Sequence, residues 1–187
     1  MAAKDGSIQI SAGKDVTVAT GAIRTTGGGS INIQAGGSVN AGTRSEGFVF
    51  SSAEPGYQPG QNVGGISTTA GGDVAINAGR DVISFLPTLT STTQSDGGSG
   101  AFGDAAGNVT VTAGGSVFGH YVVRNGTGSI TAQGNAGDAN RQLALSLVKG
   151  TWNVSGFDVN LQEVRNPNGT FNRVGRVSTP TRYRFDY

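Results

Sequence analysis

Acidic side chains recur at one place in this sequence, and they are the first candidates for catalysis. Asp15 and Asp81 each lie two residues after an Ala-Gly pair, and Ser38 and Ser116 occupy the same place in two related segments. General acid–base catalysis needs carboxyl groups that converge on one substrate. A position that exchanges Asp for Ser suits capping better, because both side chains accept hydrogen bonds from backbone N–H groups. We therefore expect capped turns, no catalytic residues and no enzyme.

The other residues that could do chemistry have no readable partners. His120 is the only histidine and the chain has no cysteine, so neither a Cys-ligated metal site nor a thiol nucleophile is expected. The segment GGSGAFGDAAGN at 97–108 is similar to the calcium-binding repeat G-G-x-G-x-D, but its Asp comes two positions late and the unit does not recur. The sequence therefore predicts no metal and no cofactor.

Composition allows disorder as an alternative, since 33 of the 187 residues are glycine. The net charge is only +1, however, and Val, Ile and Thr are abundant, which favours strands. Arg alternates with Tyr and Phe near the end of the chain, a pattern also found where proteins bind nucleic acid. We interpret it as a charged edge strand and expect no nucleic-acid partner. No run of about 18 apolar residues occurs, so no membrane insertion is expected.

The Ala-Gly pairs belong to a repeat with the pattern G-[S/D/N]-[I/V]-x-[I/V]-x-A-G-x-[S/D]-V. Four copies start at Gly6, Gly29, Gly72 and Gly107, and a degraded fifth copy starts at Gly128. The starts are 23, 43, 35 and 21 residues apart, and 43 is close to two units. The spacing therefore predicts a unit of about 21–23 residues, with occasional insertions.

Apolar and polar residues alternate within each copy, which is typical of half-buried strands. A five-residue strand cannot bury its apolar row alone, whereas stacked equivalent strands about 4.8 Å apart pair their backbones and close a core. The rows predicted to face inward contain Ile8, Ile10, Ile31, Ile33, Val74, Ile76, Val109 and Val111.

One glycine in each copy marks the bend between two strands: Gly13, Gly36, Gly79 and Gly114. We expect these glycines to adopt positive φ, where a side chain is disfavoured. Strands, bends and spacing together predict an all-β chain that forms a right-handed parallel β-helix, or β-solenoid, with two or three strands per coil.

Residues 44–64 and 84–106 lack the motif and are predicted to be irregular coils or projecting loops. Their aromatic side chains are candidates for contact with a host glycan or protein: Phe48, Phe50, Tyr57, Phe85 and Phe102. The alternative is that these rings pin the two insertions onto the wall of the stack. Residues 1–140 thus hold the repeats, and residues 141–187 hold bulkier strands that continue or close the solenoid before a basic tail.

The repeat G-[S/D]-[I/V]-x-[I/V]-x-A-G-x-D-[I/V] resembles that of filamentous haemagglutinin-like exoproteins of bacterial two-partner secretion, over roughly residues 6–133. The resemblance implies a β-helical passenger that crosses an outer-membrane pore and is secreted or displayed on the cell surface. It implies a rigid stalk or adhesin, with end-to-end self-association as a further expectation. A binding module that uses the insertions is one alternative, and a polysaccharide-active enzyme is another.

Replacement of Ile33 by Asp tests the inward assignment. The variant would bury a charge in the stack, so we expect a loss of several kcal/mol in the free energy of unfolding. Thermal denaturation measures it, and an unchanged melting temperature would show that the inward assignment is wrong.

Overall fold

The computed structural model describes residues 1–42, 65–85 and 98–161, together with the backbone of strands at 48–49, 95–96, 162–165, 171–172 and 177–186. This described part of the chain is all-β and contains no helix. In chain order the strands are β1 (Ala2–Ala3), β2 (Ile8–Ala12), β3 (Val16–Thr17), β4 (Ala22–Thr25), β5 (Ile31–Ala35), β6 (Val39–Asn40), β7 (Phe48–Val49), β8 (Gly65–Thr68), β9 (Val74–Ala78), β10 (Val82–Ile83), β11 (Ser95–Asp96), β12 (Ser99–Ala101), β13 (Val109–Ala113), β14 (Val117–Ala132), β15 (Leu143–Val159), β16 (Leu161–Arg165), β17 (Phe171–Asn172) and β18 (Val177–Asp186).

Sixteen of these strands form one sheet, in which mostly parallel strands curve until the sheet is nearly barrel-shaped. The first ladder of parallel pairs contains β2, β5, β9 and β13, then parts of β14 and β15. The second contains β3, β6, β10 and the start of β14. The third contains β1, β4, β8 and β12, then further parts of β14 and β15. The chain visits the three ladders in a constant order, and we call one pass through them a rung.

Equivalent residues of the repeat lie beside one another in the first ladder. Ile10 pairs with Ile33, Ile33 with Ile76, and Ile76 with Val111. Seven of the eight residues assigned to the inward rows are buried, Ile33 completely. The eighth, Ile10, is partly buried because it lies in the first rung, where the described strands cover it on one side. The core is therefore a set of aliphatic rows that run across the strands.

The interpretation of the 43-residue spacing as nearly two units of 21–23 residues is wrong, whereas the expected insertions account for the longer steps. Ile31 pairs directly with Val74, so the 43-residue spacing is one step of the ladder and not two. The 35 residues from Val74 to Val109 are likewise a single step. The extra residues lie between the second and third ladders, where a longer connection costs little because closure entropy grows only slowly with length.

The predicted insertion 84–106 is also too long, because part of it belongs to the stack. Ser99–Ala101 forms β12, which pairs in parallel with β8 on one side and β14 on the other. The later boundary follows from pairing in the third ladder, since Ser99–Ala101 lacks the Ile-x-Thr-Thr segment that residues 23–26 and 66–69 share.

The register of the fifth copy differs from the predicted alignment by two residues. Val109 pairs with Gly128, which leaves Ile130 beside Val111. A shift of two residues keeps every side chain on the same face, so alternation alone cannot detect it. The indole of Trp152, in the next rung, fills the space beside Gly128 and would collide with any added Cβ. Trp152 is completely buried and its Nε1 donates to the Ser146 carbonyl at 3.1 Å.

After residue 141 the sheet continues and then changes direction. β15 extends the third and first ladders in parallel with β14. β18 then pairs with β15 in the antiparallel sense, from Thr151 beside Asp186 to Val159 beside Val177. This antiparallel strand lies on the last parallel rung of the first ladder.

The bend glycines do not have positive φ, so that part of the prediction is wrong. A Cβ on Gly79 would run into the carbonyl oxygen of Gly36, and a Cβ on Gly114 would run into that of Gly79. The bends of successive rungs thus stack so closely that a side chain has no room. The glycines are needed because of close approach between backbones.

Substitution of Gly79 by Ala tests this steric requirement, with Gly13→Ala as the matched control. A Cβ on Gly13 meets nothing within 4 Å, although Gly13 occupies the same bend in the first rung. We expect Gly79→Ala to lower the unfolding free energy by about 1–3 kcal/mol, as overpacking does. Gly13→Ala should leave it unchanged or raise it slightly. Urea denaturation of both variants measures these changes, and equal losses of unfolding free energy would contradict the steric explanation.

Candidate functional site

Two lines of side chains join successive rungs at the corners of the stack. We call these lines the first and second corner columns, in the order in which the chain reaches them. The second corner column contains the Asp and Ser positions of the repeat, which are Asp15, Ser38, Asp81 and Ser116. Each side-chain oxygen accepts a hydrogen bond from the backbone N–H of the equivalent residue in the next rung, ending at Asn135. The donor–acceptor distances are 2.7, 3.3, 2.8 and 2.9 Å in that order. The expected capping therefore acts between rungs and not within one turn.

The first corner column has the same design at the residue that follows the starting glycine. Ser7, Ser30, Asp73 and Asn108 each accept from the backbone N–H of the next rung, and Thr127 supplies the last donor. The distances lie between 2.8 and 3.1 Å. These bonds satisfy N–H groups at corners where the strand ladders are interrupted.

The acidic side chains of the described rungs are thus spread over different parts of the stack. Asp15 and Asp81 belong to the second corner column and Asp73 to the first. Asp104 instead pairs with Arg124, whose Nε lies 2.5 Å from Asp104 Oδ1. Within residues 1–42, 65–85 and 98–161 no three His, Asp or Glu side chains are grouped so that they could hold a metal ion.

His120 lies in a buried polar cluster of the third ladder. Its Nε2 is 2.6 Å from Ser146 Oγ, and both residues are almost completely buried. Ser84 Oγ donates to Ser99 Oγ at 3.1 Å, and Ser99 Oγ also accepts from the backbone N–H of Ile66. These bonds satisfy polar groups inside the protein.

Among the described residues, two titratable groups have shifted pKa values. Burial raises the pKa of Tyr121, whose hydroxyl donates to the Phe118 carbonyl at 3.1 Å. Burial alone would also raise the pKa of Asp138, but backbone N–H donors from Arg141 and Asn140 and the Arg141 charge outweigh it, so this pKa is lowered. Both groups serve local structure, since each bonds to residues within three positions of itself.

The aromatic candidates do not form one surface in the described structure. Phe50 and Tyr57 lie outside the described residues, and for Phe48 only the backbone is described, in β7. Phe85 is partly buried, and its carbonyl accepts from His120 N. Phe102 is completely buried, so its ring packs inside the protein and offers no contact surface.

A groove on the outside of the first ladder is the site that sequence reasoning did not identify. We call it the neutral groove; its volume is about 420 Å³ and its lining residues are Ser11, Ala12, Gln34, Ala35, Gly36, Asn77, Ala78, Gly79 and Thr112. These residues come from four successive rungs, so the groove crosses the strands and follows the stack. The alternation indicated an outward polar row, but the concavity depends on bends that have no side chains.

No family model, no curated protein and no solved structure matches the chain. In the described part of the chain, no helix has the length and apolar character needed to cross a bilayer.

Removal of one acceptor from the second corner column tests its contribution to stability. Asp81→Ala leaves the Ser116 N–H without its acceptor, so we expect a loss of about 1 kcal/mol in unfolding free energy. Asp81→Ser is the matched control, because the chain itself uses Ser at positions 38 and 116. Urea denaturation should rank wild type and Asp81→Ser above Asp81→Ala. If the two variants lose the same stability, the column does not contribute as described.

Proposed function

We propose that this chain is a right-handed parallel β-helix that serves as a rigid, non-catalytic segment of a secreted or surface-displayed bacterial exoprotein. The observation that carries the proposal is the constant order in which the chain visits the three ladders, with successive rungs also joined at two corners by repeated side-chain bonds. A chain that visits parallel ladders in one order advances by one rung per pass, as a β-helix does.

Rigidity is supported by the number of independent links between rungs. Residues 31–35 pair with residues 74–78 along a continuous five-residue ladder. The same two rungs are also joined at the corners by the Ser30–Asp73 and Ser38–Asp81 bonds, and at the core by Ile33 against Ile76. Bending of the stack would strain all of these contacts together.

A structural role is supported by the state of the acidic residues. The carboxylates of Asp15, Asp73 and Asp81 accept hydrogen bonds from backbone groups at different corners. This arrangement suits an acceptor that holds rungs together better than a pair of carboxyl groups that must approach one glycosidic bond.

The filamentous haemagglutinin-like resemblance of the repeat supports an outer-membrane two-partner secretion pore as the export partner. A repeat protein gains structure rung by rung, because each rung contacts only its neighbours. Such a chain can cross a pore unfolded and fold progressively on the far side. The described core has no cysteine and needs no disulfide for this process.

A binding role for the insertions 44–64 and 84–106 is the second hypothesis. Ser99–Ala101 pairs within the third ladder and Phe102 is buried, so the described end of the second insertion supports the stack. We therefore favour the structural role for this part of the chain.

An export assay tests the proposal. The chain is fused behind the secretion domain of a two-partner exoprotein and expressed in a Gram-negative host with or without the cognate pore. We expect a protease-resistant product outside the cell only when the pore is present. If the fusion is retained under conditions that export the secretion domain alone, the proposed role is wrong. A left-handed coil in a crystal structure would contradict the proposed fold.

A further inference from the structure

From β2 to β15 the outward row of the first ladder carries no charge and is polar except at Ala75. Twelve side chains from six rungs point outward here, and eleven of them are amides or hydroxyls: Gln9, Ser11, Asn32, Gln34, Ala75, Asn77, Thr110, Thr112, Ser129, Thr131, Asn153 and Ser155. Charged residues such as Lys14, Asp15, Arg80 and Asp81 lie at the bend that follows this row in the chain. The neutral groove is the concave part of this uncharged face. Beyond β15, the register of β18 places Arg184 beside Asn153 and Arg182 beside Ser155.

We propose that the neutral groove binds a linear, uncharged polysaccharide that lies along the stack and across the strands. Binding there goes beyond the proposed stalk role, because the stalk role does not require an occupied groove.

The groove offers the hydrogen-bonding groups that sugar hydroxyls require. Gln34 and Asn77 carry amides, each with two donors and one acceptor oxygen, while Ser11 and Thr112 carry hydroxyls that both donate and accept. A sugar hydroxyl also donates and accepts, so each can be satisfied by such a side chain. These groups recur once per rung, at the strand spacing of about 4.8 Å, which allows roughly one sugar residue per rung.

The floor of the groove allows a close approach. The methyl groups of Ala35 and Ala78 are buried with the core, and Gly36 and Gly79 have no side chains because the stacked bends leave no room. A sugar ring can therefore reach the backbone beside the single row formed by Ser11, Gln34, Asn77 and Thr112. The same constraint that packs the rungs thus exposes a strip of bare backbone.

Other partners fit the groove less well. Nucleic acids and acidic glycans bind through Lys and Arg, and no charged residue lines the groove. Protein interfaces depend on buried aromatic or large apolar anchors. Among the described residues the exposed large hydrophobics are Met1 and Phe157, and neither lines the groove. A neutral polyhydroxyl chain is the ligand class that remains.

Calorimetric titration of the full chain with defined oligosaccharides tests the proposal. The probes are cello-oligosaccharides and manno-oligosaccharides, which are neutral, and oligogalacturonates, which are acidic. We expect saturable binding of at least one neutral series and at least tenfold weaker binding of the acidic one. The double variant Gln34→Ala/Asn77→Ala should lose at least tenfold in affinity, whereas Asn140→Ala, which removes an exposed amide far from the groove, should bind as wild type does.

Three outcomes would overturn the proposal: no binding of either neutral series, equal binding of the acidic series, or unchanged affinity in the double variant. Concentration-dependent dimerisation that disappears in the double variant would assign the face to a second copy of the chain instead. Melting temperatures within error of wild type show that the variant is folded. The double variant should be exported normally in the two-partner assay. This control distinguishes loss of polysaccharide binding from loss of the proposed structural role.

Discussion

Parallel pairing places each residue about 4.8 Å from its equivalent in the next rung, and the rest of the structure follows from this spacing. At that distance a side chain must be able to pack against a copy of itself. Aliphatic residues meet the condition inside, as the row from Ile10 to Val111 does, and amides or hydroxyls meet it outside. Carboxylates do not, because like charges placed side by side repel. In both corner columns each Asp accordingly has Ser or Asn as its neighbour, as Asp81 lies between Ser38 and Ser116.

Because of this spacing, side chains from neighbouring rungs fill the same space in the core. Gly128 occupies a position where earlier rungs have Ile or Val, and Trp152 from the following rung fills the gap. The indole remains hydrogen-bonded through Ser146, so the larger side chain adds no unsatisfied polar atom. A small residue in one rung is thus compensated by a large residue in the next rung. The effect of a substitution in the core therefore depends on the residues of the adjacent rungs.

The sequence predicts the local features well and the distances along the chain poorly. Alternation identified the inward rows, because a period of two fixes which face each side chain occupies. The same period is blind to a two-residue shift, so Ile130 was aligned with Val109 although it lies beside Val111. A glycine can be required either because its φ is positive or because a neighbouring backbone leaves no room for a Cβ, and the sequence does not distinguish these two reasons. At Gly79 the reason is the carbonyl oxygen of Gly36 in the preceding rung. The neutral groove was missed because concavity arises only when four bends stack.

The two ends of the sheet differ in a way that limits how the stack can extend. The corner columns require each new rung to be parallel and in register, since every side-chain acceptor must meet the N–H of its equivalent. β18 runs antiparallel to β15 and replaces the next parallel strand of the first ladder at that end. At the other end β2 is paired with β5 and, among the described strands, its second edge is free. Parallel strands can therefore be added beside β2 without displacing any described strand. Beyond β15 the first ladder ends on the antiparallel β18, while the third ladder gains one more parallel strand, β16. An open sheet edge is readily extended and an interrupted register is not, which gives the proposed stalk a direction.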